Sequence, residues 1–95
     1  MIKISVTKER ILIEGHARYA DPGHDIVCAA ISTLVLTLER SIRSLTKDRP
    51  DITMYDGYTE LRIGHLSEES NLLIDAFFIG VSGIADEYPE YVRII

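Results

Sequence analysis

Cys28 is the only cysteine in the sequence, and it closes a run suited to a helix start: Pro22-Gly23-His24-Asp25-Ile26-Val27-Cys28. Pro22-Gly23 interrupts regular structure and Asp25 is a good N-cap, so the chain reads as helix from Ile26. Cys28 then falls at the third helical position, where the partial positive charge of the first turn favours S⁻ over SH. Upstream, Gly15-His16 ends an apolar stretch and opens a polar loop punctuated by glycine and proline. A nucleophile and a base therefore flank one loop. Acyl transfer by a thiol needs a thiolate, an imidazole within hydrogen-bond reach, and donors for an oxyanion. The amides at the helix start, that of Cys28 included, are the candidate donors.

Each of these residues also has a plainer reading. A single cysteine followed by Ala29-Ala30 is often a small hydrophobe in a core. A histidine after glycine at a strand end is often a turn residue. Asp25 has two possible tasks, capping the helix or orienting His16, and its negative charge opposes thiolate formation. His16, His24, Asp25 and Cys28 are zinc-ligand types, but no Cys-x-x-Cys or His-x-x-x-His pair accompanies them, so no metal is expected. A phosphatase-type loop needs an arginine soon after the cysteine, and none follows before Arg40. His65, in Gly-His-Leu, reads as surface turn. A redox-sensing thiol would need a resolving cysteine from another chain.

The elements that must hold these groups are legible from periodicity. Ile2, Ile4 and Val6 alternate with Lys3 and Ser5 as a half-buried strand, and Ile11–Glu14 forms a second strand across a polar turn. Over 26–45, Val27, Ile31, Leu34, Leu38, Ile42 and Leu45 recur at helical steps, with Leu36 off the stripe. Ile52–Tyr55 and Tyr58–Ile63 flank Asp56-Gly57, a strong type I′ hairpin signal. Ser67 caps a second helix that runs to about Glu87, with Leu73, Ala76, Phe77, Gly80 and Ile84 as its main stripe. Tyr91–Ile95 is a short last strand. The order β-β-α-β-β-α-β, with strands arriving in pairs, predicts an α+β fold with a largely antiparallel sheet in one domain, 1–95.

Leu72, Phe78, Ile79 and Val81 widen the apolar face of the second helix. Either one end of that helix lies deep in the core, or a second copy of the chain covers it. Gly80 and Gly83 would allow two backbones to approach closely. A 95-residue chain buries only about two-thirds of its unfolded surface, which makes such association plausible. The net charge of −5 argues against direct nucleic-acid binding and suits a basic protein partner. No apolar run reaches the roughly 18 residues of a membrane span, and the first residues alternate like a strand rather than a signal peptide, so a cytoplasmic location is expected.

Gly15-His16-Ala17, then Gly23-x-Asp25-Ile26-Val27-Cys28-Ala29-Ala30-x-Ser32, resembles the ribosomal-processing cysteine proteases named Prp, over essentially the whole chain. The resemblance implies a homodimeric endopeptidase without a cofactor. Its substrate would be a short N-terminal extension of the large-subunit ribosomal protein numbered twenty-seven, with aromatic residues before the cut. It implies a dyad of Cys28 and His16, with Asp25, Ser32, Gly15 and Gly23 supporting the site. It also implies a mobile loop, residues 17–23, in which Ala17, Arg18 and Tyr19 meet substrate; Arg18 departs from the family's smaller or acidic residue. Gly15 and Gly23 would serve as hinges, and Tyr19 either contacts the peptide or packs on the base of the loop. The competing reading is a non-catalytic ribosome-assembly or peptide-binding homodimer on the same fold.

Overall fold

A computed structural model describes residues 1–95. Its elements are β1 (Ile2–Val6), β2 (Arg10–Glu14), α1 (Ile26–Leu45), β3 (Ile52–Tyr55), β4 (Tyr58–Arg62), α2 (Glu68–Glu87) and β5 (Val92–Ile94), in the order the pattern predicts. The five strands form one sheet ordered β3-β4-β2-β1-β5. All pairings are antiparallel except that of β5, which lies parallel to β1.

Alternation decides which face of the sheet is covered. Ile2, Ile4, Ile11, Ile13, Leu61 and Val92 share one face through the pairs Ile4↔Ile13, Ile11↔Leu61 and Ile2↔Val92. They are buried in a single core with Val27, Ile31, Val35, Leu38 and Ile42 of α1 and Ile74, Phe77 and Val81 of α2. Both helices therefore lie on that face, and the opposite face carries residues such as Lys3, Glu14, Glu60 and Arg62. Glu60 is buried there beneath Arg10, whose guanidinium donates to it at 2.7 Å.

The helix stripes differ from the sequence reading in phase. On α1, Val35 joins the core, whereas Leu45, the last residue of the helix, is 72% exposed. On α2, Ser70, Ile74, Phe77 and Val81 face inward, and Ala76 is exposed. Ser70 tolerates full burial because its hydroxyl reaches the Asp48 carboxylate, which also accepts from the Ser67 amide at 2.9 Å and the Ser67 hydroxyl at 2.6 Å. These donors, the hydroxyls of Ser67 and Ser70 first, hold the Asp48 carboxyl below its ordinary pKa. Gly80 faces the other helix of its own chain. A Cβ there would stand 3.1 Å from Leu34 of α1, so this glycine lets the two helices of one chain approach.

Candidate active site

The start of α1 is built as the sequence predicts. Asp25 is the N-cap, and its Oδ1 accepts from the amides of Val27 at 3.0 Å and Cys28 at 2.9 Å. Its Oδ2 accepts from the Tyr19 amide at 3.0 Å, so one carboxylate ties the helix start to the loop before it. Burial pushes the Asp25 pKa up. The amides of Cys28, Tyr19 and Ala20, with the Cys28 thiol, outweigh that and hold it below its ordinary value.

This geometry overturns one expectation. The Val27 and Cys28 amides are occupied by Asp25, and the Ala29 amide donates to the Asp25 carbonyl at 3.0 Å. They are not free to receive an oxyanion. The sulfur has a different amide neighbour: the Ala17 N–H donates to Cys28 Sγ at 3.4 Å.

Cys28 is half-buried and His16 is exposed, and both line one open cleft of about 900 Å³. Arg18, Gly23, Asp25 and Ser32 line it as well. Ser32 is one helical turn beyond Cys28 and exposed. A groove of about 410 Å³ continues from Cys28 and His16 between α1 and the β3–β4 hairpin, floored by Ile13, Ile31 and Val35 and rimmed by Leu36 and Met54. Leu36, off the core stripe in sequence, is thus a groove residue.

Gly15 is required by its backbone. Its φ is +94°, and a Cβ there would stand 2.3 Å from the Met1 carbonyl oxygen. Gly23 adopts φ +87° in open space. Ala17 is in the core at 3% exposure, so its side chain faces the interior and its amide faces the thiol. Arg18 takes a left-handed φ of 57° at the cleft. Tyr19 packs edge-on against Tyr88 at 5.7 Å and Tyr91 at 5.1 Å between ring centroids, the base-of-loop alternative. The loop is thereby anchored by the buried Ala17 and by the ring contacts of Tyr19, while residues 18–23 are all exposed.

Asp56 is the residue that sequence reasoning missed. It was legible only as half of a hairpin turn, yet its Oδ1 lies 3.6 Å from His16 Nε2. The signal was the register: Glu14 pairs with Tyr58, which sets the turn beside Gly15-His16. The zinc-type residues do not converge, since no three His, Cys, Asp or Glu side chains group to hold a metal. No helix is long and apolar enough to cross a membrane.

Comparison with known proteins places this cleft in context. The family model described as Cysteine protease Prp matches residues 1–93. The ribosomal processing cysteine protease Prp of Staphylococcus aureus is 32% identical over 87 residues, which cover 88% of this chain and 82% of that protein. A crystal structure of the S. aureus protease in complex with a covalently linked product peptide superposes with a TM-score of 0.88 at 30% identity, covering 98% of this chain and 94% of that one. A second, in complex with a substrate peptide, gives a TM-score of 0.83 at 29% identity, covering 99% and 95%. A thiol at a capped helix start, a histidine across the loop, and a family match from one end of the fold to the other lead to one conclusion: this chain belongs to the cysteine protease Prp family.

Proposed function

We propose that this enzyme is an endopeptidase that removes a short N-terminal extension from the large-subunit ribosomal protein numbered twenty-seven, with Cys28 as nucleophile and His16 as its base. The observation that carries this reading is the shared cleft of Cys28 and His16, with the Ala17 amide donating to the sulfur. The thiolate attacks the scissile carbonyl, the imidazolium gives its proton to the departing amine, and the C–N bond breaks to leave a thioester. Water, deprotonated by the neutral imidazole, then attacks the thioester, releasing the acid and returning the thiol. The apolar groove beyond the pair suits aromatic residues on the acyl side of the cut. Ser32, exposed on its wall, offers a hydroxyl to the peptide backbone. Residues 20–23 form the movable part of the cleft rim. The net charge of −5 favours a basic ribosomal protein over nucleic acid as partner, and the setting is the cytoplasm, where a lone cysteine stays reduced.

The enzyme is a homodimer on this reading, in one domain per copy. Leu72, Ala76, Ile79 and Gly83 of α2 are all exposed, at steps of four, three and four, the spacing of a helix-packing seam. Leu72 is 70% and Ile79 73% exposed, and Gly83 has open space where a Cβ would be.

The test is incubation with the same host's ribosomal protein and a mass measurement of its N-terminus. Loss of a defined N-terminal peptide is expected with the unaltered enzyme and not with Cys28→Ala. Equal cleavage by both proteins would sink the mechanism, and an intact substrate after incubation with active thiol would sink the substrate assignment.

A further inference from the structure

We propose that Asp56, at the tip of the β3–β4 hairpin, is a positioning residue that holds His16 by Nε2 and so turns Nδ1 toward the Cys28 thiol. This rests on the reading of Cys28 and His16 as the reacting pair.

Three contacts seat the ring on the hairpin. The Gly15 amide donates to the Gly57 carbonyl at 2.8 Å, tying the turn to the strand end that carries His16. Gly57 has no side chain where the imidazole lies; a Cβ there would stand 2.9 Å from Nε2. Asp56 Oδ1 then lies 3.6 Å from the same nitrogen. That separation exceeds a direct hydrogen bond in the resting state but is within ion-pair reach, and such contacts tighten when a site is occupied. The Met1 ammonium donates to the His16 carbonyl at 2.6 Å and fixes the backbone from the other side.

The remaining charges around His16 leave this task to Asp56. From α1 and its cap come Cys28 and Asp25, and from the loop come Arg18 and Asp21. Asp25 already accepts three amides. Arg18 is a cation and cannot accept the ring's N–H. Asp56 is the carboxylate at the ring, and it comes from an element that the Gly-His and Asp-Ile-Val-Cys motifs do not include. Held through Nε2–H, the neutral ring presents a bare Nδ1, the acceptor needed by the thiol proton. Once charged, it is stabilised by the carboxylate, and the thiolate with it.

The experiment uses iodoacetamide alkylation of Cys28 and nitrogen-15 imidazole spectra of His16, neither of which depends on the substrate. In the unaltered protein the neutral ring should be the Nε2–H tautomer. Asp56→Ala should lose that preference and slow alkylation near neutral pH by about 2–5-fold, the scale of an exposed ion pair, with the difference shrinking in high salt. Asp56→Asn should recover the tautomer, since its carbonyl accepts the same proton, but not the salt-sensitive rate. An Nδ1–H ring in the unaltered protein, or tautomer and rate unchanged in Asp56→Ala, would overturn the proposal. A companion His16→Ala protein separates the two levels. If it alkylates as fast as the unaltered protein, the Cys–His pairing fails and this proposal with it; if only His16→Ala is slow, the pairing stands and Asp56 has no part in it.

Discussion

Replacing Asp25 separates its structural task from its electrostatic one. Its carboxylate accepts three amides, two from the first turn of α1 and one from Tyr19. Asp25→Ala removes an N-cap, at about 1–2 kcal/mol. It also removes the Tyr19 bond, a further loss of about 1 kcal/mol. The sum, roughly 2–3 kcal/mol, corresponds to a fall in Tm of about 10–20 °C for a domain of this size. Asp25→Asn keeps the cap through its one carbonyl oxygen but sets an NH2 donor where Oδ2 accepted from the Tyr19 amide, so its loss should be about 1 kcal/mol, that of the Tyr19 bond alone. The two variants part on chemistry as well. Asn removes a negative charge beside the sulfur, so alkylation of Cys28 should be faster than in the unaltered protein at mildly acidic pH. The pH dependence has a definite sign. Because the folded-state pKa of Asp25 lies below its ordinary 3.8, its stabilisation is fully present above that value and is lost as pH falls through the folded-state value. The gap in Tm between the unaltered protein and Asp25→Ala should therefore narrow in strong acid and stay constant from mildly acidic to neutral pH. Thermal melts by circular dichroism measure the first part and iodoacetamide kinetics the second. Equal Tm for the Ala and Asn variants at neutral pH would refute the capping argument; equal alkylation of Asn and unaltered protein would refute the charge argument.

Three further outcomes follow from the geometry. Gly57→Ala should slow alkylation of Cys28 while the protein stays folded, because the added Cβ meets His16 Nε2 and the backbone φ is +73°; a rate equal to the unaltered protein would show that the ring does not rest on the turn. Ile79→Lys should convert a species of twice 10.7 kDa to one of 10.7 kDa in light scattering with thiol reactivity kept, and a monomeric unaltered protein would remove the dimer reading. In Cys28→Ala protein, amide exchange at 20–23 should slow when a substrate peptide is bound, whereas 17–19 should be protected with or without it; uniform fast exchange over 17–23 in the free protein would contradict the Tyr19 anchor.

What was legible in the sequence was what is local. A capped helix start, a two-residue hairpin turn and strict alternation each depend on neighbours within a few residues, so the elements and the placement of Cys28 could be read directly. The occupation of the Val27 and Cys28 amides was equally local: an N-cap carboxylate takes those donors, so the same residues cannot also serve an oxyanion. The His16–Asp56 approach and the Ala17 amide on sulfur were not legible. The first depends on the register of β2 against β4 and the second on how the loop turns back over the helix. The phase of α2 was misread because Ser70 is buried through a partner, Asp48, which lies outside the helix.

The Tyr19 anchor bears on when the enzyme can become reactive during its own synthesis. Tyr88 and Tyr91 stand between α2 and β5, and β5 closes the sheet against β1 from the opposite end of the sequence. Residues 1–28 contain both the thiol and the imidazole, but the loop that joins them has its footing on Tyr88 and Tyr91, which are made long after both. Contacts of such long sequence separation form late and slowly in folding. A nascent chain holding only the thiol half would carry the cysteine beside an unfooted loop, without a shaped cleft. If Cys28 and His16 are the reacting pair, their site is complete only once the sheet has closed.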